Sequence, residues 1–205
     1  MNKKIVGLGI VENGRYELVS IAGMGTALHD IEAEKLIVQG MFKGKGVRNT
    51  SEIQIEGIAK IARSDFSDYL TISGKAKITG IKDGCSVMIC SGSIKAGTVK
   101  VERLHLTGTC RLDMLKATEI HILESKNDKR LSAQLSQVDQ IICRKLIAYN
   151  LKAENICAQE VQLYGNCEIN TLICESLSKC EPGCVIRNHI QKNPFTSFEE
   201  RDDAQ

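Results

Sequence analysis

The sequence predicts an all-β fold, a single-stranded parallel β-helix with about 16–17 residues and three short strands in each turn. Three observations carry this expectation. Gly23, Gly40, Gly57, Gly74, Gly92 and Gly108 recur at intervals of 17, 17, 17, 18 and 16 residues, and a fixed short period is the mark of a solenoid. Each glycine closes the phrase apolar–x–apolar–x–Gly, as in Leu36-Ile37-Val38-Gln39-Gly40 and Leu70-Thr71-Ile72-Ser73-Gly74. A second apolar stripe then follows two and four residues after each glycine.

Alternation of period two turns one face of a strand inward. The first strand of the repeat therefore buries Leu36/Val38, Ile53/Ile55, Leu70/Ile72 and Leu104/Leu106. The second buries Phe42/Gly44, Ala59/Ile61, Ala76/Ile78, Ile94/Ala96 and Cys110/Leu112. A looser third stripe holds Ile31/Ala33, Val99/Val101 and Leu115/Ala117. The glycines fall at the bends, where a residue without Cβ accepts a positive φ. No long window repeats apolar residues at helical spacing. Pro182 and Pro194 both lie beyond the regular repeats, as stacked strands require, because proline removes a ladder hydrogen bond. Nine or ten turns at the inter-strand spacing make a rod roughly 45 Å long.

The repeat divides the chain. Residues 1–15 read as an N-terminal tail or a partial first turn, and residues 16–125 as the regular β-helix. A polar run, Ser125 to Arg130, reads as a loop thrown out of the solenoid. Residues 126–187 continue the β-helix less regularly, with a 15-residue step from Asn150 to Gly165. Residues 188–205 read as a disordered polar tail.

Composition narrows the function. The formal net charge is +2, Lys and Glu alternate along the chain, and tryptophan is absent. No basic stripe with interleaved aromatics marks a nucleic-acid surface. Nine cysteines without an export signal predict reduced thiols and a cytoplasmic location. Cys90, Cys110, Cys167 and Cys174 fall on core positions, where free cysteine packs as a small hydrophobe. Lys3 and Lys4 precede an apolar stretch from Ile5 to Val11, which gives at most a weak peripheral membrane contact.

The motifs of chemistry are sparse. Cys167, Cys174, Cys180 and Cys184 lack the paired short spacings of a zinc site; of these, Cys180 and Cys184 flank a Pro-Gly turn and are the pair open to a metal. His105 and His121 sit mid-phrase on neighbouring turns and point outward, without the base–orienter arrangement that catalysis needs. Gly44-Lys45-Gly46 lacks the spacing and hydroxyl of a phosphate loop. The reading is of a non-enzyme with no catalytic, cofactor or metal residues.

The phrase Ile53-Gln54-Ile55-Glu56-Gly57, followed by Ile58-Ala59-Lys60-Ile61, resembles the bactofilins, polymer-forming bacterial cytoskeletal proteins. The similarity covers residues 16 to 125, and the section from Leu131 to Ile186 looks like the extended Gram-positive type. The resemblance implies a right-handed β-helix that assembles end to end without nucleotide. It implies a scaffold role in cell shape, division, envelope organisation or motility. The implied partners are the chain itself, another bactofilin, or an envelope or motility protein. The self-association candidates are Leu18, Val19 and Ile21 near one end and Leu177, Val185 and Ile186 near the other. Two alternatives remain: an adaptor that binds a protein partner without polymerising, and, further off, a β-helix acyltransferase, which the missing six-residue sub-period disfavours.

Overall fold

The computed structural model describes residues 1–81, 85–124 and 135–195. Its strands are β1 (Asn2–Ile5), β2 (Leu8–Val11), β3 (Arg15–Ile21), β4 (Met24–Val38), β5 (Met41–Ile55), β6 (Ile58–Ile72) and β7 (Lys75–Ile81). They continue as β8 (Cys85–Cys90), β9 (Ser93–Leu106), β10 (Thr109–Ile122), β11 (Ser136–Tyr149), β12 (Leu151–Tyr164), β13 (Glu168–Cys180) and β14 (Val185–Gln191). Every pairing among them is parallel and joins a strand to its equivalent one turn away, making a β-solenoid of about 10 turns.

A long strand is a whole turn bent around three faces. In β5, residues 41–44 form face 1, residues 46–50 face 2 and residues 52–55 face 3. Apart from local register shifts in β4–β6 and β12–β13, each side chain stacks on its equivalent. On face 3 the column Leu36, Ile53, Leu70, Met88, Leu104, Ile120, Leu146 and Val161 runs up the core, and each member is at most 2% exposed. Full burial of an aliphatic side chain contributes ~1.5–3 kcal/mol, so such columns supply the main cohesion of the rod. Face 1 stacks Phe42, Ala59, Ala76, Ile94 and Cys110. Phe42 fits because Gly44 is its neighbour; a Cβ there would lie 2.8 Å from the ring.

The repeating glycines occupy the corner between faces 3 and 1. Their role differs from the expected one, since none of the six has a positive φ; Gly7, one turn earlier, does. The constraint is closeness. A Cβ on Gly40 would lie 2.0 Å from the carbonyl oxygen of Gly23, one on Gly57 1.9 Å from that of Gly40, and one on Gly108 1.8 Å from that of Gly92. The same carbonyls accept hydrogen bonds from the residue after the next glycine, as in Met41 N–H to Gly23 at 2.8 Å and Ile58 N–H to Gly40 at 2.8 Å.

The later turns use a different corner. Asn150 and Gly165 take φ of 53° and 65°. That left-handed residue turns the chain with two residues between Ala148 and Leu151, where three separate Val38 from Phe42. Asn150 Oδ1 accepts a bond from the Asn166 N–H at 2.8 Å and Glu181 Oε2 one from the Gly165 N–H at 2.8 Å. The 15-residue step follows from this shorter corner.

Strand β1 and strand β2 form a partial first turn. Strands β10 and β11 stay in register, with the longer connection falling at the position of the glycine corner; the expected loop, Ser125 to Arg130, lies outside the described residues. Strand β14 pairs with β13 through Gln191. The solenoid therefore runs past Asn188, where the sequence placed the start of a disordered tail, because residues 188–191 find a parallel partner in residues 171–174.

Substituting Gly57 or Gly74 with Ala is expected to cost more than about 3 kcal/mol or abolish soluble folding, since backbone on both sides would have to separate. Gly14→Ala, whose Cβ would meet only Tyr16 atoms at 3.5 Å or more, is expected to stay within about 1 kcal/mol of wild type. Urea unfolding midpoints measure both.

Candidate interaction surfaces

Among the described residues the terminal strands β1, β2 and β14 pair on one side only. At the N-terminal end the carbonyls of Met1 and Ile5 accept bonds from Glu17 and Ala22, both at 2.9 Å. Peptide groups alternate in direction along a parallel strand, so the Lys4 group faces away from β3 towards open space. Leu18, Val19 and Ile21 are not at this end. They lie one turn in, paired with Asn2, Lys3 and Ile5, and Val19 and Ile21 are fully buried. The polar Asn2-Lys3-Lys4 run hides this extra strand from a hydrophobic count. At the other end Val185 is 58% exposed, while Leu177 and Ile186 pack half-buried against the core. A register shift after Val161 displaces the last strand on face 3. His189 and Gln191 stand opposite Leu172 and Cys174, so polar side chains occupy inward columns there.

The expected core cysteines, Cys90, Cys110, Cys167 and Cys174, are all buried, as are Cys85 and Cys143. Burial pushes the thiols of Cys85, Cys90, Cys110, Cys143 and Cys167 up to about 12. Cys174 Sγ lies 3.4 Å from His189 Nε2. Cys180 is exposed and Cys184 half-buried. Among the described residues no group of three or more His, Cys, Asp or Glu side chains is arranged to hold a metal.

His105 and His121 stack as neighbours on the outside of face 3, their rings edge to face at 4.9 Å. His121 is half-buried, and its Nε2 has no hydrogen-bond partner. Burial first, then the His105 ring, lowers its pKa, with Glu119 opposing.

Outer columns obey the same register. Most stacked charges alternate: Arg15 meets Glu32 at 2.7 Å, Lys35 meets Glu52 at 2.6 Å, and Lys152 meets Glu168 at 3.1 Å. Arg48, which stacks on Glu32, reaches diagonally to pair with Asp30. Lys35 holds the Glu52 carboxyl below its usual value. Face 1 departs from this pattern. Lys43, Lys60, Lys77, Lys95 and Arg111 stack one on another over five turns. All five are exposed. This is a basic stripe, but no aromatic side chain interleaves it. Beside the cations, Leu8, Met24, Met41 and Ile58 make an apolar column, each between 42% and 80% exposed. Both columns were available to the count from the glycines: the cations lie at plus three and the apolar residues at plus one.

A shallow groove of about 600 Å³ runs along face 2, bordered by Cys85, Lys100, Lys116 and Arg144, with Phe195 at its edge. Phe195 thus lies against the side of the rod. No described helix is long and apolar enough to cross a membrane.

These features define a parallel β-solenoid whose described terminal strands pair on one side only and whose face 1 carries a row of five stacked cations. No family model, curated protein or solved structure matches the chain.

In the native protein a disulfide reagent such as dithionitrobenzoate is expected to modify Cys180 first. The thiols held near 12 are expected to react only at the unfolding rate, which quenched labelling with mass spectrometry resolves. The depressed pKa of His121 means that unfolding takes up a proton below its ordinary value of about 6.5. Stability is therefore expected to fall as pH drops through that value, and His121→Gln to remove part of the loss in urea melts at pH values on either side.

Proposed function

We propose that the chain is a structural scaffold that assembles end to end, without nucleotide, into filaments or oligomers. The observation that carries this reading is the pair of open ends. Strands β1 and β2 at one end, and β14 at the other, each pair on one side only. Unpaired strand edges are templates for further pairing unless covered, and solenoids that remain monomeric need capped terminal repeats. Among the described residues no helix lies over either end. Contact of unlike ends would propagate an open filament, and contact of like ends a non-polar one. The resemblance to bactofilins supports the same reading and suggests a bacterial cytoskeletal role in the cytoplasm, serving shape, division, envelope or motility.

One observation favours a second reading, an adaptor that does not polymerise. His189 and Gln191 put polar groups into inward columns of the last turn, as a partial cap would.

Negative-stain microscopy of the reduced protein without nucleotide separates the two. Filaments are expected for wild type. Lys4→Pro removes a donor from the open edge and leaves the β1–β3 ladder bonds intact, while Val185→Lys places charge at the opposite end. Either is expected to reduce filaments to short particles. Discrete particles from wild type at every concentration and salt would instead support the adaptor.

A further inference from the structure

Elsewhere on the rod most stacked charges are of opposite sign and neutralise one another across turns, the Lys100–Lys116 pair on face 2 being an exception. On face 1 the column Lys43, Lys60, Lys77, Lys95 and Arg111 does the reverse. Like charges directly opposite on neighbouring strands repel. None of the five is engaged in an ion pair or hydrogen bond among the described residues. Four steps at the inter-strand spacing set them along roughly 19 Å. The column then ends. Its next members are Gln137 and Lys152, and Lys152 is tied to Glu168.

Apolar exposure coincides with this charge. Leu8, Met24, Met41 and Ile58 project from the same face, two residues before the cation column in each turn. Ile10 extends the cation column into the first turn as an apolar residue, and Val6 adds to the patch at the adjoining corner; these two are 54% and 72% exposed. In the fifth turn the apolar column itself becomes a cation, Lys75. One face thus carries an apolar strip at its N-terminal end that grades into a straight row of cations.

The geometry points to face 1 as a docking surface for an anionic lipid bilayer. Cations in a row attract acidic headgroups, each contributing on the order of fivefold in affinity. The unbranched Met side chains and Ile58 can enter the headgroup boundary beside them, as interfacial segments do. A soluble polyanion would use the cations and leave the apolar column without purpose. Single-stranded nucleic acid would also require stacking aromatics, and neither outward column contains one. The rod would lie flat, with its long axis in the membrane plane. Contact through the whole face replaces the contact through the first eleven residues alone that the sequence suggested. This inference does not depend on end-to-end assembly, since a single rod carries the whole surface.

Co-sedimentation with equimolar phosphatidylglycerol–phosphatidylcholine vesicles, against pure phosphatidylcholine vesicles, tests it. Wild type is expected to bind only the anionic vesicles and to be released by salt, as screening requires. Neutralising Lys43, Lys60, Lys77 and Lys95 together to Gln is expected to weaken binding on the order of a hundredfold or more. Lys100→Gln/Lys116→Gln, on face 2, is expected to leave it unchanged. Met24→Ser/Met41→Ser is expected to weaken it several-fold, with less salt dependence in the loss. Circular dichroism confirms that the variants fold, and single Lys60→Gln and Lys77→Gln changes replace the fourfold variant if it does not. Failure of wild type to bind anionic vesicles at low salt overturns the proposal. So does equal binding by the face 1 and face 2 variants. Tight binding of duplex DNA or polyphosphate that exceeds vesicle binding and ignores the Met substitutions would reassign the row to a soluble polyanion. Filament counts on the same samples report end-to-end assembly separately.

Discussion

The close stacking of backbone at the glycine corner is the constraint on which this rod depends. A carbonyl oxygen from one turn occupies the volume that a Cβ would need in the next, at 1.8–2.0 Å from the ideal Cβ position. That approach lets the corner peptide bond directly to the turn above, so the parallel ladder continues around the bend. With corners locked, most residues of a turn are fixed opposite their equivalents, and single extra residues are absorbed by local register shifts away from the glycine corner, as in β4, β5 and β13. In the later turns a left-handed residue, Asn150 or Gly165, makes the corner, and the Asn150 and Glu181 side chains accept bonds from the backbone there.

Register then makes columns, and columns convert a one-dimensional period into surfaces. The inward columns hold aliphatic side chains and six buried thiols, whose inertness follows from burial. The outward columns behave differently from one another. Face 3 and the corner beyond face 2 pair acids with bases across turns, a modest contribution per exposed pair that sets no net field. Face 1 gathers five cations in a line. A chain with a net charge of only +2 thereby presents a strongly one-sided surface.

The ends belong to the same logic. A solenoid consumes hydrogen-bonding groups on both sides of every turn but the first and last. What happens at those two turns decides between a polymer and a discrete particle, and the fold alone carries no function. The two ends here are unlike. The N-terminal turn exposes apolar outward side chains beside a free edge, whereas the C-terminal turn places His189 and Gln191 in columns that are apolar elsewhere.

The sequence by itself determined the solenoid, its period, the inward stripes and the core positions of Cys90, Cys110, Cys167 and Cys174, because each repeats at a fixed distance from a glycine. The cation column is equally legible at plus three, although lysines about seventeen residues apart look dispersed in a linear reading. The tertiary structure decided what depends on where the backbone goes. It showed that the glycines answer to a neighbouring carbonyl and not to a positive φ. It revealed β1 as an added strand, since Asn2, Lys3 and Lys4 carry no apolar signal and are held by backbone bonds that any residue type except proline can make. It extended the last turn to Gln191 for the same reason. Hydrophobic pattern reports side-chain burial, so strands recruited by peptide hydrogen bonding at the ends of the rod become visible only when the neighbouring turn is in place.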